Sequence, residues 1–127
     1  MLKRIAFAIW TIAVYAAGTQ IPAQLRPESY KIEIDNSRVQ VTRSFHAPHE
    51  IVPMHSHNDA VVVYLSDVHE KSTLPDGTSK EITRHAGDVV WSPAHKHALE
   101  NLSDQPIRVI EIEPKMPAQA AGSSQSR

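Results

Sequence analysis

Two histidine pairs carry the chemistry open to this chain: His55-Ser56-His57 and His95-Lys96-His97. Side chains two apart on an extended strand point to the same face, so each pair presents two imidazoles together. Neutral imidazole binds Zn²⁺, Fe²⁺, Ni²⁺ or Cu²⁺, and three such ligands leave coordination positions free for water, substrate or O₂. A single His-x-His is weak evidence, because exposed histidines fall two apart by chance. Two of them in one small chain, the second preceded by Gly87-x₅-Pro93, point to a metal. The other four of the eight histidines have an ordinary reading as solvated or locally hydrogen-bonded rings: His46, His49, His69 and His85 lie near turns or ahead of the first pair. His46, on the strand leading into the site, is a candidate pocket residue.

The composition narrows the alternatives. A chain of 127 residues allows one domain. The absence of cysteine excludes a disulfide scaffold, a Cys-ligated zinc site, an iron–sulfur cluster and a Cys nucleophile. A formal net charge of −1 gives no basic footprint, so no nucleic-acid partner is expected. No Ser-His-Asp order, phosphate loop or paired-carboxylate site emerges.

Both ends read as lying outside the fold. Lys3 and Arg4 precede an apolar run from Ile5 to Ala17, the pattern of a secretory signal over residues 1–23, with cleavage after Ala16, Gly18 or Ala23. Gly18-Thr19-Gln20 interrupts the run short of a spanning helix, so no membrane span is expected after cleavage. The expected location is exported, periplasmic or secreted. Lys3 and Arg4 are the signal's only charges, so its removal takes the net charge from −1 to about −3. Residues 114–127 are small and polar without period and read as a disordered tail. The folded body is then 27–113.

The elements that must position the histidines are short strands. Period-two alternation marks Tyr30–Ile34, Arg38–Phe45 and, most clearly, Ile107–Ile112. Ala60–Leu65 is a continuous apolar run, consistent with a strand buried on both faces. Glu81–Arg84, Val89–Trp91 and His97–Asn101 are shorter. Asp35-Asn36-Ser37, Leu74-Pro75-Asp76-Gly77, Ala86-Gly87-Asp88 and Ser103-Asp104-Gln105-Pro106 are turns. About eight short strands with such punctuation predict an all-β sandwich or barrel.

From about Ser37 to Glu113 the chain resembles the small single-domain cupins. Their first motif is G-x₅-H-x-H-x₃₋₄-E-x₆-G, and Pro53-Met54-His55-Ser56-His57 stands for it here. Their second is G-x₅-P-x-G-x₂-H-x₃-N. Gly87 to Pro93 and His97 to Asn101 match its two halves, with the connection one residue short and His95 where the pattern has Gly. The resemblance implies a single jelly-roll β-barrel of short antiparallel strands with His55, His57 and His97 as metal ligands. The first motif departs from the pattern: its Glu falls at Val61 or Val62, and Pro48-His49-Glu50 replaces its Gly region. The expected site is therefore three histidines without the motif carboxylate. His95 and Asp59 are the candidates for a fourth ligand.

The expected cofactor is a divalent transition metal: Fe²⁺, Zn²⁺, Ni²⁺ or Mn²⁺. If Val61 takes the Glu position, Val63 and Leu65 face inward with it, beside Val41 or Phe45, and Asn101 shares the face of His97. Val61, Val63 and Asn101 are thus the expected pocket residues, lining an apolar cavity for a small-molecule ligand. Arg43, Arg84 and Arg108 sit on strands and would bind a carboxylate if turned inward. Two functions follow: a metal-dependent enzyme such as an oxygenase or isomerase of a small molecule, or a non-catalytic metal- or ligand-binding module. Exposed strand edges make a homodimer the expected assembly.

Overall fold

A computed structural model describes residues 28–116. The expected signal at 1–23 and residues 117–127 of the tail expected at 114–127 lie outside the described residues. Pro114 instead ends a strand, and the Lys115 amide donates to the Arg38 carbonyl at 2.7 Å. Nine strands follow one another: β1 (Tyr30–Asp35), β2 (Val39–His46), β3 (Ile51–His57), β4 (Ala60–Tyr64), β5 (Val68–Thr73), β6 (Ser79–Arg84), β7 (Val89–Ser92), β8 (His95–Asn101) and β9 (Ile107–Pro114). All pairings are antiparallel. They form a five-stranded sheet, β1-β2-β9-β4-β7, and a four-stranded sheet, β3-β8-β5-β6. This is the all-β jelly roll expected from the sequence, with β5 added to the strands that alternation reveals.

The turns sit where the residues require them. Gly77 and Gly87 have φ of +86° and +94°, the left-handed region in which glycine avoids the Cβ clash. Asp76 caps its turn by accepting hydrogen bonds from the Thr78 amide and hydroxyl. Asp88 does the same for the His85 amide at 2.8 Å.

An apolar cluster of Ala60, Val62, Tyr64, Val68, Ile107 and Val109 fills part of the space between the sheets. Beside buried Tyr30, Val52 and Leu99, much of the remaining interior is polar. Thr42, Ser44 and His46 of β2 are buried, as are Glu70 and Ser72 of β5 and His97 and Asn101 of β8. The apolar alternates of the five-stranded sheet face outward instead. Paired across the ladders, Ile34, Val41, Ile112, Val61 and Trp91 form one row, and Phe45 is 40% exposed with the Arg108 guanidinium 5.4 Å from its ring centre. The inward parity read for Val41, Phe45, Val61 and Val63 is therefore reversed. The physical reason is that the interior holds a cavity walled by polar as well as apolar side chains, so apolarity does not mark the inner face.

Asn101 is fully buried but serves the frame rather than the cavity. Its Nδ2 donates to the Ala47 carbonyl at 3.0 Å and the Gln105 carbonyl at 2.8 Å, and its Oδ1 accepts from the Ser103 amide at 3.0 Å. It thereby fastens the turn before β3 to the turn before β9. Asn101→Ala removes these bonds and leaves a hole at a fully buried position, although the Ala47 and Gln105 carbonyls keep the Glu50 amide and the Ser103 hydroxyl. It is expected to cost about 2 kcal/mol of stability. Urea denaturation would show it as a lower midpoint at unchanged slope, and an unaltered midpoint would refute the clamp.

Candidate metal centre

β3 and β8 lie side by side, and their ladder places the two histidine pairs opposite each other: His55 against His97, and His57 against His95. A register shift between Val52 and His55, beside Pro53, lets the strand resume alternation with both His55 and His57 turned to the cavity. Directly paired residues share a face, so four imidazoles meet there.

Three of them converge through nitrogen. The ligating atoms of His55, His57 and His97 lie within 4.8 Å of one another. His55 Nε2 is 2.8 Å from His57 Nε2. Two of the rings are also held from behind by a hydrogen bond, and the third faces a carboxylate. His55 Nδ1 donates to the Pro53 carbonyl at 2.6 Å, which leaves Nε2 as the free lone pair. His97 Nδ1 pairs with the Ser72 hydroxyl at 2.9 Å. His57 Nδ1 has the Glu111 carboxylate 3.6 Å away. Such outer partners fix tautomer and ring orientation in metal sites. Burial and the neighbouring rings press the histidines toward the neutral, ligating form: His57 is lowered to about 3 and His97 to about 2, burial being the largest cause in each. His97 Nε2 is buried and has no hydrogen-bond partner. A metal ion at the convergence point would satisfy it, so the donor set fits the metal that the sequence motifs imply.

The two candidates for a fourth ligand stand apart. The His95 ring stacks on His57 at 5.2 Å and meets His97 edge-on at 4.5 Å, but its Nδ1 is turned to the Pro93 carbonyl and the ring lies outside the converging group. Asp59 accepts a hydrogen bond from the Ala94 amide at 2.7 Å, tying the turn after β3 to the one before β8. Of the remaining histidines, His49, His69 and His85 lie against Asp104, Glu81 and Asp67 on the surface. His46 is buried, edge-on to Tyr30, and lines the pocket.

The histidines head a cavity of about 410 Å³ between the sheets, within the range that takes small organic ligands. Val62 lines it, where Val61 and Val63 were expected, because Ala60, Val62 and Tyr64 are the inward residues of β4. Asn101 does not line it. Sequence reasoning missed Glu111, Glu70 and Ser72. Glu70 is 6% exposed, and burial pushes its carboxyl up to about 7 although the Arg84 guanidinium pulls the other way. Glu111 is likewise raised to about 7 by burial and by Glu113 and Glu70. A signal for Glu111 was present: in Val109-Ile110 the apolar phase of β9 slips from one face to the other, leaving Glu111 on the inner face behind Ile107 and Val109.

Neither protein-family models nor curated proteins give a match to this chain. Solved structures do. A cupin domain from Bordetella pertussis Tohama I is 30% identical, with 68% of this chain and 92% of that one covered at a TM-score of 0.64. The chain belongs to the cupin family. Two more distant structures share the fold: a cupin superfamily protein from Desulfitobacterium hafniense DCB-2, 21% identical over 68% of this chain and 76% of its own at a TM-score of 0.51, and a double-stranded β-helix domain protein from Klebsiella pneumoniae, 16% identical over 70% and 78% at 0.53.

The departures of this cupin from its motifs now have a structural account. His49 occupies the first-motif Gly position and takes the glycine-like φ of +59°. An i-to-i+3 bond from the Glu50 amide to the Ala47 carbonyl closes that turn. Val62, at one of the two motif Glu positions, pairs directly with Glu111 across the β4–β9 ladder. A carboxylate therefore stands one strand away from where the family motif places it.

Proposed function

We propose that this cupin is an exported metal-binding protein in which His55, His57 and His97 hold one divalent transition metal at the head of a small-molecule pocket. The observation that carries this is the convergence of the three rings, each with its other nitrogen facing a separate partner. The nitrogen-rich set suits Fe²⁺, Zn²⁺ or Ni²⁺ ahead of oxygen-preferring Mn²⁺. Elemental analysis of protein purified without a His-tag is the test. About one metal per chain is expected, and no metal at any loading would refute the reading.

The enzymatic form of this reading, with oxygenase or isomerase chemistry, rests on the pocket beyond the histidines. When bound, the metal supplies Lewis acidity and open coordination positions. Glu70, buried in the same cavity, is placed to hold or take a proton near neutral pH. The alternative, a non-catalytic binding module, draws support from the apolar residues at both motif Glu positions. Turnover of a small substrate by the metal-loaded protein separates the two, whereas ligand retained unconverted in native mass spectrometry favours the module.

Glu111 has a separable part in this proposal. Behind His57 Nδ1 it would favour the tautomer that leaves Nε2 to the metal and would add negative charge to the site. Glu111→Gln keeps the shape and removes the charge, so metal affinity is expected to fall about 10- to 100-fold. Competition against a chelator measures this, and an unchanged affinity would remove Glu111 from the centre.

A further inference from the structure

Of the three strand arginines that could meet a carboxylate, the fold turns one inward. Arg43 pairs with Glu33 on the surface at 2.9 Å, and Arg108 lies over exposed Phe45. Arg84 stands opposite Val68 in the β5–β6 ladder. It therefore shares the inner face with Val68, Glu70 and Ser72, and it lines the cavity. Its Nη1 donates to the Thr83 carbonyl at 2.8 Å. Its Nε is buried and donates to nothing. The guanidinium hydrogen-bonds to the Tyr64 hydroxyl and attracts the Glu70 carboxyl from a distance, yet no carboxylate among the described residues comes within ion-pair contact of it. A part-buried guanidinium on the cavity wall, with an idle donor and no carboxylate in contact, can take a further anionic partner from the cavity.

We propose that Arg84 anchors the carboxylate of a small organic acid with an apolar body, held in the cavity with its other end toward the histidines. The planar fork of arginine matches the two oxygens of a carboxylate. With Glu70 protonated beside it, one guanidinium balances one carboxylate, whereas a doubly charged phosphate would keep an uncompensated charge. The body of the acid meets Val62, Ile82, Val90 and Leu99. Val68, opposite Arg84, and Ser72, which holds His97, are roughly 13 Å apart along β5 at about 3.3 Å per residue. The arginine side chain and a small acid fill that span together. This assignment deepens the proposed function and rests on it for the pocket, not for the metal.

The test uses the metal-free protein at about pH 6, where Glu70 keeps its proton beside Arg84 and the added acids are ionised. It is titrated with benzoate and hexanoate and with their neutral counterparts, benzamide and hexanamide. Each acid is expected to bind at least about tenfold tighter than its amide, the worth of one charge-assisted contact. The preference should vanish in Arg84→Gln and survive only in part in Arg84→Lys, which keeps the charge and loses the fork. Circular dichroism checks that both variants fold; should Arg84→Gln not fold, the wild-type comparison and Arg84→Lys decide. Equal binding of acid and amide, no saturable binding of either acid at millimolar concentration, or a preference that survives Arg84→Gln overturns the proposal. The last result would move the anion to Lys80 or to the histidines. A metal-free result in elemental analysis would instead remove the metal reading and leave this one standing.

Discussion

Substituting His97 with alanine is expected to leave a folded protein that no longer retains metal. His97 is 8% exposed, its Nδ1 is held by Ser72, and its Nε2 is the buried nitrogen without a partner. Of the three rings it is the one whose free nitrogen has nothing else to do. A metal present at about 100 times its dissociation constant stabilises the native state by about 2.7 kcal/mol. In a domain of this size that raises Tm by roughly 10–20 °C. In His97→Ala the same metal concentration should raise Tm by no more than a few degrees, and elemental analysis should return far less than one metal per chain. His69→Ala and His85→Ala, which touch only surface ion pairs, should behave as wild type. A full metal-induced rise in His97→Ala would end the three-histidine assignment.

Replacing Glu70 with glutamine is expected to stabilise the metal-free protein at alkaline pH and to do nothing for it in acid. In the folded chain burial lifts the Glu70 carboxyl from 4.5 to about 7. Between those values the folded protein keeps a proton that the unfolded chain has released. Stability therefore falls as pH rises from 4.5 to about 7 and stays low above it. Glutamine has no proton to lose, so the variant escapes the fall. The gain at about pH 8 should be on the order of 2–3 kcal/mol, and below about pH 4.5 it should be near zero. Denaturant melts of both proteins with chelator, across pH, would show this. A gain independent of pH, or one largest in acid, would mean that Glu70 ionises as an ordinary carboxyl.

The sequence made most strands legible because their ends are punctuated by Gly, Pro, Asn and Asp. β5 was the exception. Its inward residues are Val68, Glu70 and Ser72, so Val-His-Glu-Lys-Ser-Thr shows no apolar period to read. The same polar interior reversed the parity of β2 and β4. In β2 the apolar Val41 and Phe45 face out while Thr42, Ser44 and His46 face in. The histidine group was legible because His-x-His on a strand fixes its own geometry. Glu111 was legible only as an inward charge, through the slip in β9; its approach to His57 depends on strand pairings that no local spacing records. Local rules failed where the interior holds a cavity of mixed lining instead of a packed core.

The position of β9 bears on when the protein can fold. The last strand in the chain is interior to its sheet, with an eight-residue ladder to β2 on one side and a four-residue ladder to β4 on the other. Neither β1-β2 nor β4-β7 can be joined to the other until residues 107–114 have been synthesised. A growing chain lacks its central ladder until that segment has been made, and closing the sheet is a non-local step. β9 also delivers Glu111, so the event that closes the sheet is the one that completes the surroundings of His57.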